Sequence, residues 1–129
     1  MTRTLFFQIV AIVVLLATWI LSLLPATAMP AIQGNDKFHH ALAYFACMLF
    51  WGQLFREPLQ RIKLAISFCA MGALIEFIQY FMPTRSFELL DIVADVAGVG
   101  VAWLVVTVQL SIMRRLFGIE PVTVSAKRD

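Results

Sequence analysis

Four apolar runs, residues 5–24, 38–55, 62–82 and 89–110, leave this chain few ways to fold. Each is close to the length an α-helix needs to cross the roughly 30 Å hydrocarbon core of a bilayer. Inside hydrocarbon every backbone N–H and C=O must be satisfied, and a single segment does that by itself only as a helix. The 129 residues are 61% apolar and 14% charged, with mean hydropathy +0.87, well outside the balance of soluble domains. The expected fold is all-α: a four-helix transmembrane bundle with short loops, one domain over residues 1–129.

Four spans leave no room for a sizeable soluble domain. The net charge of +2 is small, and no basic tract reads as a nucleic-acid footprint. Cys47 and Cys69 both lie within apolar runs, where they are expected to be small reduced hydrophobes.

The punctuation between the runs sets their expected ends. The first run is interrupted only by Gln8, Thr18 and Ser22 and stopped by Pro25. Arg3 before it and Ala26-Thr27-Ala28 after it imitate a signal peptide, but its length and Trp19 near the turn favour a retained span. A turn-rich loop follows, and Asp36 is the expected N-cap of the second helix. Arg56-Glu57-Pro58 ends the second run and Pro83 closes the third. Ser86 is the candidate cap of the fourth helix, with Glu88 in its first turn, and Arg114 and Arg115 end that helix before a polar tail over residues 116–129.

Orientation follows from the basic residues. With four spans and both termini on one side, that side holds Arg3, Arg56, Arg61, Lys63, Arg114, Arg115, Lys127 and Arg128, and the other only Lys37 and Arg85. The bias predicts a multi-pass membrane protein with both termini cytoplasmic.

Polar residues inside the runs are the informative exceptions, because an ionisable group at membrane depth is costly and normally faces a partner or a functional site. At 100° per residue, Asp36, His40, Tyr44 and Cys47 share one face of the second helix. Gly72, Glu76 and Gln79 share one on the third, and Asp91, Asp95, Gly98 and Ala102 share one on the fourth. Three stripes imply three facing helices. Gly72, Gly98 and Ala102 are small enough to admit a close neighbour and are assigned to helix packing.

The topology brings Asp36, His40, Tyr44, Glu76, Gln79, Arg85, Asp91 and Asp95 to one level in the outer half, as a binding pocket of polar groups. Glu76, six residues before the end of its run, is expected about 9 Å below that end. An ion pair of Arg85 with Asp91 or Glu88, and a bonded hydroxyl on Tyr44, are the expected structural roles there. Formal charges at this level are minus five from Asp36, Glu76, Glu88, Asp91 and Asp95 against plus two from Lys37 and Arg85. Such an excess is not stable dry: carboxylates take up protons, His40 becomes cationic, or water, a metal ion or a cationic ligand enters. No HExxH or paired Cys/His motif is present, so no metal ligands are assigned, and the cofactor and catalytic residues are left open.

These residues, in order, resemble a known family. Asp36-Lys37 with His40 and Tyr44, then Ile75-Glu76-Phe77-Ile78-Gln79, Thr84-Arg85-Ser86-Phe87, and Asp91 with Gly98 are similar to the VanZ-like family of small bacterial membrane proteins. The resemblance runs from about Asp36 to Ala102, with one departure: Asp95 stands where the family pattern has asparagine. The family's namesake is associated with low-level resistance to the glycopeptide teicoplanin, so the resemblance implies a cell-envelope role and names no reaction. The resulting expectation is a bilayer protein whose outward acidic pocket binds a lipid headgroup or envelope component. Two other readings stand beside it: an accessory subunit of a larger membrane complex or a homo-oligomer, and an enzyme acting on a lipid-linked substrate.

Overall fold

A computed structural model describes residues 2–28, 36–55 and 57–118 of the chain. Four α-helices account for most of them: α1 (Arg3–Leu23), α2 (Asp36–Gly52), α3 (Pro58–Gln79) and α4 (Leu89–Phe117), with a single 3-10 turn at Ala26–Ala28 after the first. The described residues contain no strand, and the expected all-α bundle of four helices is what forms.

The helix ends differ from those expected, each for a local reason. Thr2 caps α1 by accepting the Leu5 N–H at 3.3 Å. Asp36 is the first helical residue of α2 instead of its cap, still a favourable anion at the positive end of the helix dipole. Pro58 opens α3 four residues ahead of the apolar run, because a first-turn position needs no N–H. α3 stops at Gln79, short of residue 82, since a residue before proline avoids the helical region. Its end tightens into Phe81 N–H to Ile78 O and Met82 N–H to Gln79 O bonds ahead of Pro83.

Glu88 occupies the N-cap position of α4, not Ser86, and its side chain makes no capping bond. Arg114 and Arg115 do not end α4; cations suit the negative end of the dipole, and the helix runs on to Phe117, where Gly118 turns left-handed at φ 57°. The polar tail therefore begins with two helical residues, and residues 119–129 lie outside those described, as do residues 29–35 of the loop before α2.

Three of the helices, α1, α3 and α4, are long and apolar enough to cross a membrane. α2, with 17 residues, spans about 25 Å, at the short limit. Both α2 and α3 pack against all three other helices, whereas α1 and α4 make no close backbone approach among the described residues. The shared core holds Tyr44, Cys47 and Met48 of α2 with Phe68, Val99 and Ala102. Large apolar side chains such as Val13, Leu16, Ile66, Val93 and Leu104 are exposed around the outside. A bundle with such a surface belongs in lipid; the protein is a membrane protein.

Between helices, polar bonds are few and specific. Trp51 Nε1–H donates to Ala11 O at 3.0 Å, Gln53 Nε2 to Gln109 Oε1 at 2.8 Å, and Trp19 Nε1–H to the Met71 sulfur at 3.1 Å. Cys47 and Cys69 are free thiols, and Thr18 Oγ1 lies 3.4 Å from the Cys47 sulfur.

α2 comes close upon α4 at Gly98. A Cβ placed there would overlap the Ala41 carbonyl oxygen and stand 2.9 Å from its carbonyl carbon, and backbone does not yield as a side-chain tip would. Gly100, half a turn away, faces open space. Gly98→Ala is therefore expected to cost about 1–3 kcal/mol by overpacking and to lower the melting temperature of the detergent-purified protein, while Gly100→Ala leaves it unchanged. Equal melting curves for the two variants would contradict this packing.

Candidate functional site

The starts of α2 and α4 and the ends of α1 and α3 meet at one end of the bundle. The three stripes face one another there. Glu76 and Asp95 are each 1% exposed, Gln79 3%, Asp91 4% and Tyr44 1%, so these polar side chains are as buried as the core.

At the centre stands His40, between two carboxylates of α4. Its Nδ1 lies 3.1 Å from Asp95 Oδ1 and its Nε2 lies 3.6 Å from Asp91 Oδ2. Against an ionised Asp95, which only accepts, the Nδ1–H is the donor. Asp91 and Asp95 are four residues apart and share a helix face, which is why one imidazole reaches both. Behind Asp95, its Oδ2 occupies the space where a Cβ of Gly72 would be, 2.6 Å from that point, so the absent side chain at Gly72 makes room for the carboxylate.

Lys37 closes the rim. Its ammonium bonds the Glu88 carboxylate and lies 2.8 Å from Asp91 Oδ1. The Lys37 ammonium beside Glu88 holds that carboxyl below its usual range. Glu88 also reaches inward through its backbone, donating its N–H to Glu76 Oε2 at 3.1 Å. The buried carboxylate of α3 thus takes over an N–H at the start of α4 that has no helical partner. The other oxygen, Glu76 Oε1, is buried and unpartnered among the described residues, and so is the Tyr44 hydroxyl, contrary to the expected hydrogen bond. Glu76 stands three residues from the end of α3, about 4.5 Å of rise, half the expected depth, because the helix ends at Gln79.

Two expected members of the pocket turn elsewhere. Gln79 donates its Nε2–H to Ser22 O at 2.7 Å, and Arg85 donates from Nε and Nη2 to Leu24 O at 3.3 and 3.1 Å. Neither an Arg85–Asp91 nor an Arg85–Glu88 pair forms; the guanidinium satisfies a terminal carbonyl of α1 instead. Asp36 is exposed at the rim, and one ligating atom from each of Asp36, His40 and Asp91 lies within 4.8 Å of the others.

The cluster is thus His40, Asp91, Asp95, Glu76 and Tyr44, with Asp36 at the rim, and the residues that sequence reasoning left out are Lys37 and Glu88. Both had been counted as charges at this level. Lys37 follows Asp36 and stands about one turn before His40, close enough to bridge to α4, and that spacing is the signal the sequence offers.

Over 96 residues the chain is 34% identical to an uncharacterized protein of Schizosaccharomyces pombe. The match takes in 72% of this chain and 57% of the relative, so the chain spans little more than half the length of the curated relative it matches. No family model matches the sequence, and no solved structure matches it.

The bonds from Gln79 and Arg85 give α1 its anchorage at this end. Arg85→Ala would leave the Leu24 carbonyl without its donor, a loss of about 1–3 kcal/mol. Amide exchange across residues 20–24 is expected to speed up in Arg85→Ala and Gln79→Ala, with the α2–α4 contact protected as before. Unchanged exchange would remove the anchoring role.

Proposed function

We propose that this is a VanZ-like protein of the bacterial inner membrane, with both termini cytoplasmic, that binds a polar headgroup or other cell-envelope component at the His40–Asp91–Asp95 end of the bundle. The observation that carries the reading is the surplus of buried hydrogen-bonding capacity: Glu76 Oε1 and the Tyr44 hydroxyl lie in the same buried end without partners. Buried polar atoms that serve packing alone are almost always satisfied. The unmet ones sit beneath a rim of Lys37 and Glu88, which remain partly exposed and offer charges of both signs to an approaching headgroup.

The orientation rests on the basic-residue bias, and the envelope role on the motif resemblance; a link to teicoplanin tolerance belongs to the same reading.

The test is retention of lipid. Protein expressed in a bacterial host, extracted in mild detergent and analysed by mass spectrometry is expected to carry host polar lipid. Asp95→Ala and Glu76→Ala should lower the retained fraction by at least about 10-fold, the effect of some 1.4 kcal/mol, with helicity and yield maintained. Equal retention in wild type and variants would sink the headgroup reading. Co-purification of a stoichiometric protein partner in place of lipid would favour the accessory-subunit reading instead.

A further inference from the structure

The same end of the bundle contains a second, smaller arrangement. We propose that Asp36, His40 and Asp91 form a binding site for a divalent transition-metal ion of the Zn2+ class, with His40 Nε2 and Asp91 Oδ2 as its inner donors, Asp36 as its rim donor, and Asp95 as the residue that positions the imidazole. This inference goes beyond headgroup binding and does not depend on it.

The geometry begins with the tautomer. Because Nδ1–H donates to Asp95 Oδ1 at 3.1 Å, a neutral His40 directs the lone pair of Nε2 away from Asp95. In that neutral form the lone pair faces Asp91 Oδ2 at 3.6 Å, too far for a hydrogen bond, and two facing acceptors call for a proton on Nε2 or a metal ion between them. Two donors of a tetrahedral ion with bonds of about 2.1 Å stand roughly 3.4 Å apart, so the observed gap is of metal-ligand size. Asp36 lies four residues before His40 on α2, and one ligating atom from each of Asp36, His40 and Asp91 lies within 4.8 Å of the others.

The carboxylate on Nδ1 completes the pattern by which proteins orient ligating histidines, fixing the ring and raising its basicity. Lys37 does not compete for the same atom: it engages Asp91 through Oδ1, leaving Oδ2 turned to His40.

An independent observation also calls for positive charge. Glu76 Oε1 is sealed at 1% residue exposure with no partner, and the charges that act on it are those of Asp91, His40 and Asp95. Its sister oxygen is already committed to the Glu88 N–H, three residues before Asp91. With Arg85 turned to Leu24, Lys37 is the one lysine or arginine among the described residues that bonds these carboxylates, the other contact being the imidazole of His40. A buried carboxylate set this short of cations is stabilised by a doubly charged ion. The nitrogen and two carboxylate oxygens suit Zn2+ better than Ca2+ or Mg2+, which prefer all-oxygen shells.

The experiment uses full-length protein purified in detergent without a polyhistidine tag and stripped with a chelator. Titration with Zn2+ by calorimetry is expected to give one site per chain, and titration with Co2+ to give visible d–d bands of a tetrahedral complex. Affinity should fall at least about 100-fold in His40→Ala and about 10- to 100-fold in Asp95→Asn, the range seen when an outer-shell partner is lost. Asp36→Asn, at an exposed position that the fold does not need, should weaken Zn2+ by about 10-fold and shift the Co2+ bands, and Gln109→Ala should change neither. The proposal is overturned if wild type binds Zn2+ no better than His40→Ala, if Asp36→Asn leaves affinity and spectrum unaltered, or if binding disappears on substituting Cys47 or Cys69 instead. Lipid retention is measured separately, so loss of either result leaves the other standing.

Discussion

A carboxylate carried to membrane depth has no water to fall back on, and that constraint organises this bundle. Glu76, Asp91 and Asp95 sit on two different helices at no more than 4% exposure. Each is tolerable only because something from another helix faces it: an imidazole and an ammonium from α2, or a backbone N–H from the start of α4. The requirement runs through the fold in both directions. It holds α2 and α4 in one register, close enough that position 98 is glycine, and it sets α3 against α4 so that position 72, facing Asp95, has no side chain. Apolar packing alone, in a solvent as apolar as leucine, would not choose that register.

α2 shows how the demands are divided. It is the shortest of the four helices, and it carries the histidine, the tyrosine and the lysine of the cluster. A helix with these residues on one face would be a poor neighbour for lipid. Packing against α4, α1 and α3 gives its polar face protein surroundings, while α1 and α4 present apolar sides outward. The imidazole, ammonium and phenol of the cluster lie on α2, and the buried carboxylates that meet them lie on α3 and α4.

Much of this is legible in the chain before any coordinates. Spacing at 3.6 residues per turn puts Asp36, His40 and Tyr44 on one side, Gly72, Glu76 and Gln79 on another, and Asp91, Asp95, Gly98 and Ala102 on a third, and short loops leave those sides little choice but to face each other. What periodicity does not carry is choice among partners at similar distance. Arg85 had carboxylates within its level, yet it bonds Leu24 O, because a terminal carbonyl of α1 has no helical donor and a guanidinium offers several. Helix ends were equally beyond a hydropathy reading: Pro58 belongs to α3 through its position in the first turn, and α4 continues past two arginines to the glycine that can turn left-handed. The Tyr44 hydroxyl was expected to be satisfied like other buried ones, and it is not.

The anchorage of α1 bears on how the chain is made. The carbonyls of Ser22 and Leu24 receive their side-chain donors from Gln79 and Arg85, which follow 57 and 61 residues later. During synthesis the first helix enters the bilayer well before those donors leave the ribosome, and its trailing turn stays open to headgroups and water until the third helix and the segment after it arrive. The nascent protein is therefore marked as unfinished at a defined place, where a membrane chaperone or protease could recognise a half-built chain, and the mark is erased when Arg85 docks.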